Sequence, residues 1–98
     1  MTVRFGLLAL LEAQPGKGGE LRAFLEEGRA IAAAEIGTVT WYAFKISDTG
    51  FGIFDTFETE EARQAHLDGE IPIALGRVAS DLLADVPDIR MVEVIALT

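Results

Sequence analysis

Apolar residues alternate at Val3, Phe5, Leu7, Ala9 and Leu11, which predicts a strand. The intervening face, Arg4, Gly6, Leu8 and Leu10, is also largely apolar, as expected of a central strand covered on both sides. Pro15-Gly16-Lys17-Gly18-Gly19 breaks this pattern with turn residues. From Glu20 to about Glu35 the period changes: Leu21, Phe24, Leu25, Gly28, Ile31 and Ala32 recur at spacings of three and four, with charged residues between them. That is a surface helix with one buried stripe, and Gly37 stands where a left-handed C-cap would end it.

Thr38 to Ser47 is rich in β-branched and aromatic residues and predicts a second strand; a third runs from Phe51 to Glu58. Asp48-Thr49-Gly50 between them suits a three-residue hairpin loop closed by Gly50 in the left-handed region. That loop would set Ala43 opposite Asp55 and Trp41 opposite Phe57, on one face with Ile53. The other face of the hairpin would carry Tyr42, Phe44, Phe54 and Thr56. Thr59 is a natural N-cap, with Glu60 and Glu61 at the positive end of a short helix to about Asp68. Gly69 and Pro72 interrupt it. A second helical piece carries Ile71, Leu75, Val78 and Leu82, and Pro87 precedes a last strand from about Ile89 to Leu97.

The order strand, helix, strand, strand, helix, strand predicts a single α+β domain over residues 1–98: a ferredoxin-like βαββαβ with a four-stranded antiparallel sheet and a second helical region broken in two. Right-handed crossovers place both helical regions on one sheet face. Leu8, Leu10, Tyr42, Phe44 and Phe54 on the other face have no cover within the chain, so a second copy packing sheet to sheet is expected to bury them.

Charge narrows the partners. The chain has 98 residues and a formal net charge of -8, which argues against nucleic acid and anionic membrane surfaces. No run approaches the roughly 18 apolar residues of a membrane span. Cysteine is absent, which removes disulfides and thiolate metal sites and suits a cytoplasmic setting. With one histidine, a transition-metal site is not expected, and the Gly18-Gly19 pair lacks the spacing of a phosphate loop.

Three stretches then point to a family. Pro15-Gly16-Lys17-Gly18-Gly19-Glu20, Gly37-Thr38-Val39-Thr40-Trp41-Tyr42, and Phe51-Gly52-Ile53-Phe54-Asp55-Thr56-Phe57 running into Glu61-Ala62-Arg63-Gln64-Ala65-His66-Leu67 together resemble the antibiotic biosynthesis monooxygenase family over nearly the whole chain. The resemblance implies a dimeric α+β barrel with a small-molecule pocket in each subunit, between sheet and helices. Several members oxidise phenols, quinols or polyketide aromatics with dioxygen and no bound metal or flavin; others degrade haem. The haem-degrading branch relies on an Asn, a Trp and a His at positions that Ala9, Phe57 and Gly76 occupy here, and the chain has no Asn at all. Haem degradation is therefore not expected, and no cofactor is.

Four side chains could carry chemistry, and each has a plainer explanation. Asp55, on the helix-side face, could be a general base for a phenolic proton or a structural acid satisfied by Arg63, Arg77 or backbone donors. His66, one turn beyond Ala62, could take a proton at neutral pH or simply bond a carboxylate or solvent. Trp41 and Phe57 could wall a flat ring, the indole N–H serving as a fixed donor, or could be core. Ala9 joins the substrate-binding residues as a wall of the implied pocket. The expected function is a cofactor-independent monooxygenase for a phenolic, quinol or polyketide-like aromatic. Its rival is a non-catalytic dimer that binds a small apolar metabolite.

Overall fold

The computed structural model describes residues 3–98. Its elements are β1 (Phe5–Glu12), α1 (Gly18–Ala34), β2 (Thr38–Lys45), β3 (Gly50–Phe57), α2 (Glu60–Leu67), α3 (Glu70–Leu82) and β4 (Asp88–Glu93). The four strands form one antiparallel sheet in the order β2-β3-β1-β4. This is the split βαβ arrangement, with each crossover helix packed back on the same face. Leu11, Ala13, Leu21, Leu25, Phe51 and Ile53 form the centre of the core beneath α1. No helix among the described residues is long and apolar enough to cross a membrane.

The broken helical region has local causes. Thr59 Oγ1 accepts the Ala62 N–H at 3.0 Å and caps α2. Gly69 is the extended residue before α3, and Pro72 lies in that helix's first turn, where its missing N–H leaves no bond unmade. The end of α3 lacks a basic residue; Gln14 Nε2 instead donates to the Ser80 and Leu83 carbonyls at 3.1 and 3.2 Å, fastening β1's end to it.

Three expectations are corrected. The hairpin pairs Lys45 with Phe51, Ala43 with Ile53 and Trp41 with Asp55, so Trp41 does not face Phe57 and Ala43 does not face Asp55. The connection spans Ile46 to Thr49, and Gly50 begins β3 without a positive φ. Ser47 Oγ accepts the Gly50 N–H at 2.8 Å, so a hydroxyl closes the turn that a left-handed glycine was expected to close. The slip is two residues, an even number, and every side chain keeps its assigned face.

Gly37 is not a left-handed cap either: α1 ends at extended Glu35, whose N–H bonds the Ala32 carbonyl at 3.1 Å. A Cβ on Gly37 would lie 2.7 Å from that of Ala62, so glycine is there to let α2 seat against the start of β2. The last strand stops at Glu93 rather than Leu97. Its partner β1 begins at Phe5, opposite Glu93, and the Val94 N–H bond to the Arg4 carbonyl at 2.7 Å follows the last ladder pair.

The face away from the helices carries the expected residues. Leu8 pairs with Phe54 and Phe54 with Tyr42, while Gly52 lies between Leu10 and Phe44. Tyr42 is 61% exposed and Phe44 38%; nothing among the described residues covers them.

Candidate functional site

Asp55 enters the helix-side layer from β3 because its row in the sheet, Trp41-Asp55-Leu7, points that way. His66 reaches the same place because Ala62, one turn earlier, rests on Gly37, and residues four apart share a helix face. Both side chains are buried. His66 Nε2 lies 2.9 Å from Asp55 Oδ2, and Nδ1 lies 2.6 Å from Glu35 Oε1, at the end of α1.

The two contacts differ in kind. Nδ1 and Glu35 form a hydrogen bond. The Nε2 contact is close but falls outside hydrogen-bond geometry, and neither Asp55 oxygen receives a hydrogen bond from the described residues. Burial favours the neutral imidazole, but contact with the Asp55 and Glu35 carboxylates outweighs it and raises the His66 pKa above its ordinary 6.5. A ring with a carboxylate at each nitrogen is matched best as the imidazolium, which carries a proton on both. Phe57 packs beside it, ring centroids 5.4 Å apart.

Asp55 and His66 form the polar end of a cavity of about 180 Å³. Its other walls are apolar: Ala9 and Ile53 from the sheet, Ile71 and Leu75 from α3, with Pro87 and Ile89 among the remaining lining residues. Apolar cavities of about 150 Å³ hold a benzene-sized guest, so the space suits one aromatic ring. A larger open depression of about 610 Å³ lies between α1 and β2. Its ionisable side chains, Arg22, Glu26, Arg29, Tyr42 and Lys45, are all exposed, so the smaller cavity is the one with a buried carboxylate and imidazole.

Three of the expected site residues, Asp55, His66 and Ala9, therefore meet around one space. The other two do not line it. Trp41 packs on α1, its ring 3.5 Å from where a Cβ on Gly28 would stand, and its buried Nε1 has no acceptor among the described residues. Phe57 is fully buried behind His66. The expected wall of two opposed aromatics fails because the hairpin register separates them. Arg63 does not pair with Asp55 either: it donates to the Gly6 and Val92 carbonyls at 3.4 and 3.3 Å.

Glu35 was missed. One signal was available: a carboxylate at a helix C-terminus opposes the negative end of the dipole, and the last turn of α1 has no basic residue to offset it. Among the described residues no group of three or more His, Cys, Asp or Glu could hold a metal ion. Asp55 and Glu35 sit at opposite nitrogens of one ring rather than around a common centre. Haem is also a poor fit, since Nδ1 is bonded to Glu35 and Nε2 is turned to Asp55, the cavity is one ring in size, and Gly76 lines it without a donor atom.

No protein-family model and no curated protein matches the chain. Among solved structures it is 42% identical to NE2512, a protein of unknown function from Nitrosomonas europaea, with a TM-score of 0.96 over 98% of this chain and 93% of that one. The chain belongs to the NE2512 family. The fold extends further. A protein from Caulobacter crescentus provisionally assigned as an antibiotic biosynthesis monooxygenase superposes with a TM-score of 0.81 at 18% identity, over 96% of this chain and 92% of that one. A provisionally so-assigned protein from Nitrosomonas europaea gives 0.84 at 11% identity, over 94% and 99%. This NE2512 relative has the antibiotic biosynthesis monooxygenase-like fold.

Proposed function

We propose that the cavity binds a single-ring phenol or quinol, and that the chain oxidises it with dioxygen as an antibiotic biosynthesis monooxygenase-type enzyme working as a homodimer. The observation that carries this reading is Asp55: a carboxylate buried at the end of an apolar, ring-sized cavity, with no well-formed hydrogen bond from the described residues on either oxygen and the His66 ring 2.9 Å from Oδ2 as its close polar contact. A buried carboxylate with free lone pairs calls for a ligand that brings a donor. A ring hydroxyl supplies one at the end of an otherwise apolar molecule.

In the reaction Asp55 takes the hydroxyl proton, and the His66 charge stabilises the phenolate that remains. The electron-rich ring then meets dioxygen. For a hydroquinone with a free ring position, one oxygen atom enters the ring and the other leaves as water, giving a hydroxyquinone. The ring supplies all the electrons, so the balance closes without a separate reductant. The apolar walls exclude bulk water from the anion.

The uncovered sheet face supports the dimer, since Tyr42 and Phe44 are exposed there beside half-buried Leu8, Leu10 and Phe54. Sedimentation at low concentration as a stable, folded single subunit would sink that part.

Oxygen uptake with a panel of single-ring quinols tests the chemistry. Asp55→Asn should lower uptake about a hundredfold, the usual scale for loss of a general base. Undiminished uptake in that variant would remove Asp55 from the mechanism. One observation favours the non-catalytic rival: His66 Nδ1 is held by Glu35 and Nε2 faces Asp55, so each ring nitrogen already lies against a carboxylate of the protein. A ring compound retained through purification, seen by native mass spectrometry without oxygen consumption, would establish a binding protein instead.

A further inference from the structure

Glu35 occupies a place that a helix alone would not favour, and its neighbours hold it there. Thr38 Oγ1 donates to its Oε1 at 2.7 Å, and His66 Nδ1 meets the same oxygen at 2.6 Å. A Cβ on Gly69 would stand 3.2 Å from Oε2, so the chain also leaves room for the second oxygen. The side chains are graded in exposure: Glu35 22%, His66 7%, Asp55 2%. One acid–imidazole–acid row thus runs from the surface to the cavity wall, assembled from the end of α1, α2 and β3.

A carboxylate on one imidazole nitrogen determines what the other nitrogen presents. With Nδ1–H given to Glu35, the ring cannot rotate without losing its best hydrogen bond, and Nε2 stays turned to the cavity side. Asp55 alone would not achieve this, because its contact with Nε2 is poorly aligned.

We propose that Glu35 is the positioning residue of this site, holding His66 as an imidazolium with Nε2 toward Asp55, so that a bound ring hydroxyl meets a base beside a fixed positive charge. The part that concerns the ligand rests on the phenol reading above. When the hydroxyl ionises, its O–H bond breaks, an Asp55 Oδ–H bond forms, and the phenolate faces the imidazolium. No proton leaves the site. Glu35 touches neither ligand nor reacting atom; it acts through the ring.

The test needs no substrate at first. His66 is the one histidine in the chain, so its ring C–H resonances can be titrated by NMR without ambiguity. Glu35→Gln preserves shape and a hydrogen-bond acceptor but removes the charge, and should lower the titration midpoint by about one pH unit, tenfold in protonation ratio. Glu35→Asp retains the charge and should stay near wild type. Next, p-nitrophenol serves as a probe whose anion is yellow. Wild-type protein should bind it and ionise it below its solution pKa. Glu35→Gln should bind the ring within about threefold of wild type yet hold several-fold less anion.

An unchanged or raised midpoint in Glu35→Gln overturns the proposal, as do equal shifts in the Gln and Asp variants, which would mark a merely structural contact. If wild type does not bind p-nitrophenol, the phenol reading and the ligand half of this proposal fall together, while the midpoints still decide whether Glu35 holds the ring.

Discussion

The helix-covered face of the sheet has two halves built from the same strands and packed differently. Toward β2, α1 lays Leu21, Leu25 and Gly28 over Phe51 and Trp41, the indole packs against the helix, and what stays open there is a surface depression rimmed by exposed charged side chains. Toward β1 and β4, α2 and α3 cross residues that are small, Ala9 in the sheet with Gly76 and Ala79 above it, and about 180 Å³ stays open. Asp55 stands at the boundary, with Trp41 as its neighbour on one side and Leu7 on the other. Side-chain size at a few positions, more than topology, decides which half is core and which can hold a guest.

If so, substitutions in the two halves should separate stability from binding. Trp41→Ala is expected to have the largest effect, a loss of about 3 kcal/mol of stability as the filled half becomes hollow, measured by denaturant unfolding. Ring binding at native conditions should survive it. Complete loss of binding in a folded Trp41→Ala protein would mean that the halves are one packing unit. Ala9→Leu makes the opposite change: the added atoms enter existing space, so stability should hold while ring affinity falls about tenfold, roughly 1.4 kcal/mol by calorimetry. Unchanged affinity would show that the guest sits elsewhere.

The polar end of the hollow half should also report in the pH dependence of stability. The folded-state pKa of His66 is raised, so the folded protein holds the proton more tightly than the unfolded chain. Its stabilising contribution is complete below the ordinary value of 6.5 and is lost as pH rises through the folded value. Melting temperatures should therefore fall modestly on moving from about pH 6 upward into the mildly alkaline range, and His66→Gln should flatten that part of the curve. A wild-type profile that rises over the same interval would contradict the imidazolium assignment.

These predictions rest on features of unequal visibility in the sequence. Which face each strand residue takes was legible, because alternation has period two and survives an even slip; Asp55 was placed on the helix side although its partner was misread. The partner was not legible, since a Ser47 hydroxyl and a left-handed Gly50 can each close a short hairpin, and the choice depends on atoms rather than residue types. His66 was legible through Ala62 and helical spacing, Thr59 through its capping chemistry. Glu35 was not, because its partner lies 31 residues away and only tertiary packing joins them. Trp41 was open to both readings because an aromatic on the inner face suits a ring or a core equally well, and its contact with Gly28 shows it packed on α1.

That last contact gives the smallest and sharpest test. A Cβ on Gly28 would meet Trp41 Cη2 and Cζ2 at 3.5 and 3.6 Å, ordinary van der Waals contact, whereas one on Gly37 would be 2.7 Å from Ala62 Cβ. Gly28 lies inside α1, where alanine is favoured over glycine by up to about 1 kcal/mol because it loses less backbone freedom on folding. Gly28→Ala should therefore raise stability by roughly 0.5 to 1 kcal/mol and leave ring binding untouched. Gly37→Ala should lower stability and, by displacing α2, move the His66 titration as well. Were Gly28→Ala destabilising instead, the indole would have no slack, and the filled half would be packed more tightly than its distances indicate. Were it to weaken ring binding, a change buried beneath α1 would be reaching the cavity across Asp55, and the division between the two halves would have to be abandoned.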